Sequence, residues 1–436
     1  MTDTNAARGN AGAPAEAQSE AQPEPVIESQ VLASSPTHTR IIGLDGIRGL
    51  GCLAVVMGHV ALSYSPVTHD KAFLGVLGLA LILFFVLSGF LLFLPYIRRL
   101  TKDRAKAVMP DTKQYALHRF FRVFPGYLTI FLICNFVLQV AYVQNSAIQP
   151  HGTDAGTGMI TDPWELLANL TLTQTYIPEY VQTGISPSWS LTLEIAFYAM
   201  LPLLGLLLFA LRKRTDVKPL VLACLAPAIL LAVGVIGRLF APLVFSASGA
   251  DTVLMQNWGP TWAAVFMRSF ITNADLFAYG MFAAILFVAI EQGVISAPAA
   301  RRIHLLCFPL LAVSFVAALV LAVKGTVFAT AGIGFVSAVF IAIVVLPLAR
   351  GKDSPIARFL DLKPFHFVGV ISLSVYLWHY PVLLLLGRYD LAAGDSWSGM
   401  FRNVAVVAVV TILLSTITYY AVERPGLGLV KRFRKS

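Results

Sequence analysis

The sequence predicts an all-α polytopic membrane protein of about ten transmembrane helices with both termini cytoplasmic. Three observations carry that expectation. The 436 residues are 57% hydrophobic and only 13% charged, with a mean hydropathy of +0.75, outside the range of soluble globular domains. Apolar stretches long enough to cross a bilayer recur along the whole chain. The basic residues cluster in every second connection, as the positive-inside rule expects of a helical membrane protein.

Residues 1–38 hold one basic residue, Arg8, against five acidic ones, and are rich in Ala, Glu, Gln and Pro. Such a segment buries too little apolar surface to offset chain entropy, so a disordered cytoplasmic tail is expected. No charged region leads directly into an apolar stretch, so no cleaved signal peptide is expected. A transmembrane domain over 39–425 and a basic cytoplasmic tail over 426–436 complete the division.

The expected spans are 43–64, 72–97, 117–143, 190–211, 217–241, 262–290, 303–323, 326–349, 366–387 and 400–422. The connections test this count. Arg98, Arg99, Lys102, Arg104, Lys106 and Lys113 follow span two, and Arg212, Lys213, Arg214 and Lys218 follow span four. Arg301 and Arg302 follow span six; Arg350, Lys352, Arg358 and Lys363 follow span eight; Lys431, Arg432, Arg434 and Lys435 follow span ten. Residues 144–189 and 241–261 contain no Lys or Arg, which places them outside. Outside the first 38 residues the chain carries 31 basic against 18 acidic residues, an excess explained by orientation. No basic run with interleaved aromatics points to nucleic acid. Cys52, Cys134, Cys224 and Cys307 fall in four different apolar stretches without metal-ligand spacing, so they read as small buried hydrophobes and no metal is expected.

Ionisable groups at membrane depth are costly and mark function or structural pairing. Span one carries Asp45, Arg48 and His59 in LDGIRGLGCLAVVMGHV. Eleven residues separate Arg48 from His59, nearly three helical turns, so both project from one face about 16 Å apart. The imidazole accepts a proton near neutral pH, the property needed to activate a hydroxyl. Arg119 and Arg122, at the expected cytoplasmic entry of span three, share a helix face. Their guanidinium groups fit both the phosphates of a coenzyme A thioester and contact with lipid headgroups. Glu194, after the tract PSWSLTL that contains Trp189, suits either orientation of His59 or the acceptor, or a structural pair with an arginine such as Arg268; Asp275 raises the same choice. In SLSVYLWH, which includes Ser372 and Tyr376, His379 lies near mid-span and is a second histidine candidate. Glu423 and Arg424 are expected to close a salt bridge docking span ten, with Arg424 also placed to help hold the donor. No GxSxG, HExxH, P-loop or His-x4-Asp motif occurs.

These pieces together resemble the acyltransferase 3 family of membrane O-acyltransferases. LDGIRGL with its arginine-ten-histidine spacing, FFVLSGFLL at 84–92, Arg119-x-x-Arg122, SWSLTLEIAFY at 188–198, Asp275-x4-Gly280, SLSVYLWHYP at 372–381 and VERP at 422–425 occur in family order over about nine tenths of the chain. The resemblance implies a ten-helix catalytic domain in which Arg48 and His59 are essential, Arg119 and Arg122 serve the acyl-CoA, and acceptors are sugar hydroxyls. It implies a multi-pass protein of the inner (plasma) membrane, with acyl-CoA as co-substrate and no tightly bound cofactor. The partners it implies are a glycan, glycolipid or glycosylated small-molecule acceptor, carbohydrate or lipid-linked, and membrane lipids. One departure is that Glu194-Ile195-Ala196 stands where many members carry Glu-Glu-Gln. With little chain after span ten, no appended esterase-like domain is expected. The expected chemistry is transfer of an acetyl or other short acyl group, with His59 as general base or as acyl carrier. The rival class is a secondary transporter or lipid flippase, which predicts paired broken helices that the sequence does not display.

Overall fold

A computed structural model describes residues 40–433; the expected N-terminal tail lies outside them. The described chain is almost entirely helical, with ten principal helices: α1 Leu44–Tyr64, α2 Ala80–Leu100, α3 Thr112–Leu132, α4 Trp189–Arg214, α5 Leu225–Ser248, α6 Phe270–Glu291, α7 Ala297–Val323, α8 Ala329–Ala349, α9 Ser372–Arg388 and α10 Trp397–Thr418. Among the described residues, nine helical segments are long and apolar enough to cross a membrane, and a tenth is a bent pair. The protein is therefore a multi-pass membrane protein.

The bent pair changes the shape expected of span nine. Lys363–Val370 forms a short helix that meets α9 at 78° instead of continuing it. The short helix lies against the start of α1, where backbone approaches backbone: a Cβ on Gly369 would stand 1.9 Å from the Asp45 carbonyl oxygen. Span three also shifts. Asp111 caps the first turn of α3 by accepting from the Gln114 N–H at 2.8 Å, so the helix starts five residues earlier than expected. At the other end, α10 continues through a widened turn at Tyr419–Glu423 into a helix over Arg424–Phe433, where a tail was expected. Pro425 has no N–H to offer the Ala421 carbonyl, and the Arg424 N–H bonds instead to Tyr419, five residues back.

The ends of the helices sort as the charge pattern requires. Arg98 at the end of α2 pairs with Glu291 at the end of α6, and Arg104 donates to the carbonyls of Arg212, Lys213 and Thr215 after α4. At the opposite ends, the long connection 138–188 folds over α9: Arg388 pairs with Asp154 at 2.6 Å and donates to the carbonyls of Leu138 and Gln139. A two-residue antiparallel ribbon, Ala141–Tyr142 with Thr157–Gly158, stiffens that connection.

Two apolar cores result. One gathers α2, α4, α5, α6 and α8. Its tightest crossing joins α2 to α6, where a Cβ on Gly280 would stand 1.8 Å from the Val86 carbonyl oxygen and one on Gly89 2.1 Å from that of Phe277. The SGF and Asp275-x4-Gly280 motifs thus include a steric requirement for close helix packing. The second core gathers α1, α3, α9 and α10 with the long connection. Tyr198 and Leu81 pack against both. The residues of chemical interest lie along that seam.

Candidate active site

Helix α1 is unbroken, so Arg48 and His59 share one face as expected. His59 Nδ1 lies 2.8 Å from His379 Nε2. The ring planes differ by 5° with centroids 5.1 Å apart, which matches rings meeting edge to edge along one N–H···N bond. His379 Nδ1 in turn lies 2.6 Å from the Tyr376 carbonyl oxygen.

The protons follow from these partners. A carbonyl only accepts, so His379 Nδ1 carries hydrogen and, in the neutral ring, its Nε2 accepts. His59 Nδ1 must then be the donor. This leaves His59 Nε2 with its lone pair free, without a hydrogen-bond partner among the described residues and not sealed from solvent. His379 is fully buried and its sequence role as a rival candidate becomes one of support: it fixes the tautomer of His59.

Tyr376 is itself held from α4. Its hydroxyl donates to the Pro187 carbonyl at 3.0 Å and accepts from Ser190 at 3.0 Å. The PSWS tract and the SLSVYLWH tract therefore meet through Tyr376, one residue before Ser190 lies Trp189, and the chain of contacts ends at His59. Ser372 opens α9, and its carbonyl lies 3.5 Å from the Cys52 sulfur. Cys52, Cys134, Cys224 and Cys307 are all unpaired thiols.

On the side of the long connection, His59 meets the edge of the Tyr380 ring at 5.5 Å, and Tyr380 packs on Tyr142 at 6.2 Å. Burial, then the neighbouring Tyr380, raise the Tyr142 phenol above its ordinary range, so it remains a neutral hydroxyl. The exposed His151 stands within electrostatic reach of His59. Tyr380 lies within the SLSVYLWHYP motif but was given no role in the sequence, and nothing there distinguishes Tyr142 and His151 from other loop residues.

A second group lies toward the basic ends of the helices. Arg119 and Arg122 sit seven and ten residues into α3, about 10 and 15 Å along the helix from its start. Arg122 pairs with the fully buried Glu423 at 3.2 Å, and Ser374 donates to the same carboxylate at 2.5 Å. Glu423 thus docks the α10 end onto α3 and α9, while the adjacent Arg424 rests over the Tyr420 ring at 5.5 Å. Arg48 makes no hydrogen bond or ion pair with a described residue, and its nitrogens are not sealed from solvent. Arg119 lies over the Tyr198 ring at 5.8 Å, and its guanidinium has no acceptor among the described residues. Asp45, Arg122, Glu194 and Tyr198 are electrostatic neighbours of Arg48.

Glu194 and Asp275 were each left between orienting His59 or the acceptor and a structural pair with an arginine such as Arg268. Glu194 accepts from Ser88 at 3.1 Å and from the Tyr198 hydroxyl, and does not pair with Arg268. Asp275 forms a structural pair, as one of its two readings held, but with Arg238 of α5, which also donates to Thr330 at 3.3 Å. Arg238 was missed; its signal was an isolated arginine inside an apolar span. Asp45 sits beside His366 of the short helix, 3.4 Å from its Nδ1, and so ties α1 to the bent pair.

An acyltransferase-domain family model matches residues 41–420. The chain is 22% identical over 400 residues to the O-acetyltransferase OatA of Staphylococcus aureus, covering 88% of this chain and 56% of that protein. It is 21% identical over 386 residues to the peptidoglycan O-acetyltransferase OatA of Listeria monocytogenes, covering 88% and 55%. It is 24% identical over 407 residues to the putative peptidoglycan O-acetyltransferase YrhL of Bacillus subtilis, covering 89% and 55%. The chain spans about half the length of the curated relatives it matches. No solved structure matches.

Proposed function

The chain belongs to the acyltransferase 3 family, and from that premise we propose that it transfers a short acyl group, acetyl in the first instance, from acyl-CoA to a sugar hydroxyl of a cell-envelope glycan. The observation that carries this reading is the free Nε2 lone pair of His59, fixed by the Tyr376–His379–His59 chain and facing the long connection. The relatives named as peptidoglycan O-acetyltransferases make a peptidoglycan-type glycan the first acceptor to test.

In this reading the basic ends of the helices face the cytoplasm of the inner (plasma) membrane and the long connection faces outward. The unpartnered guanidinium groups of Arg48 and Arg119 receive the anionic end of the donor. Arg122, neutralised by Glu423, holds the wall behind them. Arg48 therefore belongs with the donor's phosphates and not beside the thioester, because about 16 Å of helix separates it from His59. The donor's extended arm crosses that distance along the α1 face.

The acceptor approaches His59 past Tyr380, Tyr142 and His151. His59 Nε2 takes the proton of the acceptor hydroxyl as its oxygen attacks the thioester carbonyl. The new C–O bond forms, the C–S bond breaks, and the proton passes from His59 to the departing thiolate. His379 steadies the imidazolium through the Nδ1–H bond while Tyr376 holds His379.

The direct test uses the full chain in detergent with acetyl-CoA and a soluble peptidoglycan oligosaccharide, following free thiol and the acetylated product by mass spectrometry. Production of both in equal amounts is expected. Thiol release without product, or neither, defeats the transfer reading. Rapid quenching with labelled acetyl-CoA and no acceptor separates the two roles of His59: label on the protein at that residue would replace the direct route by an acyl-histidine carrier.

A further inference from the structure

Arg268 occupies the break between the short helix Trp262–Met267 and α6. Its guanidinium is clamped between two indoles, with Cζ 3.1 Å from the Trp258 ring centroid and 4.5 Å from that of Trp189. The clamp orients the group without neutralising it. One donor is spent: Nε bonds the Asn257 carbonyl at 2.8 Å. The two terminal nitrogens have no acceptor among the described residues, and neither is sealed from solvent. Tyr376 is its electrostatic neighbour.

A cation at this depth is costly, and the protein's other deep arginine in the first core, Arg238, is closed off by Asp275. Arg268 has no such carboxylate. Glu194, on the next turn of α4 after Trp189, is committed to Ser88 and Tyr198. The vacancy is also well placed. Trp189, which stacks on Arg268, is followed by Ser190, whose hydroxyl bonds Tyr376, whose carbonyl fixes His379 and through it His59.

Resting on the transfer reading above, we propose that Arg268 is an acceptor-recognition residue: its two free amino groups bind a carboxylate or phosphate carried by the acceptor while a neighbouring hydroxyl is presented to His59. A planar guanidinium held against two indoles set at 81° to each other and anchored at Nε presents a fixed pair of donors, the geometry suited to bidentate capture of such an anion. The site selects anionic over neutral glycans.

The test compares two acceptors of one size: a peptide-free peptidoglycan oligosaccharide with its lactyl carboxylates intact, and the same oligosaccharide amidated at those carboxylates. With the full chain and acetyl-CoA, the wild type is expected to favour the carboxylate form about 10- to 100-fold in kcat/KM, the range of a hydrogen bond to a charged group. Arg268→Gln should collapse that preference to near unity, chiefly by raising KM for the carboxylate form. Arg268→Lys should restore part of it, and KM for acetyl-CoA should stay fixed in both. Equal use of the two acceptors by the wild type overturns the proposal without any variant. So does a proportional loss on both acceptors in Arg268→Gln, the mark of a structural residue, or a raised KM for acetyl-CoA, the mark of a donor site. A wild type that acetylates neither form overturns the transfer reading itself, and this inference with it.

Discussion

Two arginine sites inside the helical bundle, built of the same residue types, are finished differently. Arg238 and Asp275, between α5 and α6, are both buried, paired with each other and supplemented by Thr330. Arg48 and Arg119, along the seam between the two cores, have no acceptor among the described residues, even though Glu194 and Glu423 lie nearby and are satisfied by other donors. Where a membrane protein closes a charge with its opposite, the pair secures packing; where it keeps the charge open beside committed carboxylates, the charge is kept for something that arrives. Identity of residue does not separate the two cases. Possession of a buried partner of opposite charge does.

The sharpest way to probe the open site is at His59. His59→Gln retains an N–H donor for His379 but cannot accept a proton near neutral pH, so transfer should fall by about 10²- to 10⁴-fold with normal protein in the membrane. Turnover within tenfold of wild type, measured as thiol release, would move His59 to the structural category.

The closed site should respond in the opposite currency. Arg238→Met or Asp275→Asn alone strands a buried charge or polar group and should cost about 3–5 kcal/mol, read as a lower melting temperature in detergent and lower yield. Turnover per folded molecule should hold. Arg238→Met with Asp275→Leu should recover most of the loss, because an apolar pair suits that core. A double variant that stays as unstable as the singles would show that the pair does more than balance charge.

Arg48→Ala and Arg119→Ala invert that result. Each should leave melting unchanged and raise KM for acetyl-CoA about tenfold or more, the loss of a charge-assisted contact. Destabilisation with an unchanged KM would place both with Arg238. Arg122→Ala combines the two behaviours, since it strands Glu423, and a fall in stability is expected before any effect on the donor.

The smallest effect is expected from Tyr376→Phe. It removes the hydroxyl shared with Ser190 and Pro187 but keeps the carbonyl that holds His379, so about 1 kcal/mol of stability and a several-fold fall in kcat should follow. A loss as large as that of His59→Gln would mean that the hydroxyl itself touches the reacting groups.

How much of this was legible differs from residue to residue. Arg48 and His59 were visible as one face because eleven residues on a continuous helix fix their relation locally. Glu423 was visible as a docking residue, and its partner was not: Arg122 lies 301 positions away in the chain. The same holds for Asp275, read as half of a buried pair while Arg238 went unnoticed. His379 was found as a histidine of unknown purpose. Ser88 and Tyr198, which occupy Glu194, lie inside the FFVLSGFLL and SWSLTLEIAFY motifs, but nothing local tied either side chain to that carboxylate.

The sequence by itself determined the membrane class, the apolar segments and the shared face of Arg48 and His59, because hydropathy and helical periodicity act over a few turns. Tertiary structure alone decided the 78° break before α9, the proton order of the His59–His379 pair and which arginines remain open. Each of these depends on groups far apart in the chain meeting within hydrogen-bond distance. At membrane depth, whether a charge finds such a partner sets whether it is a strut or a site.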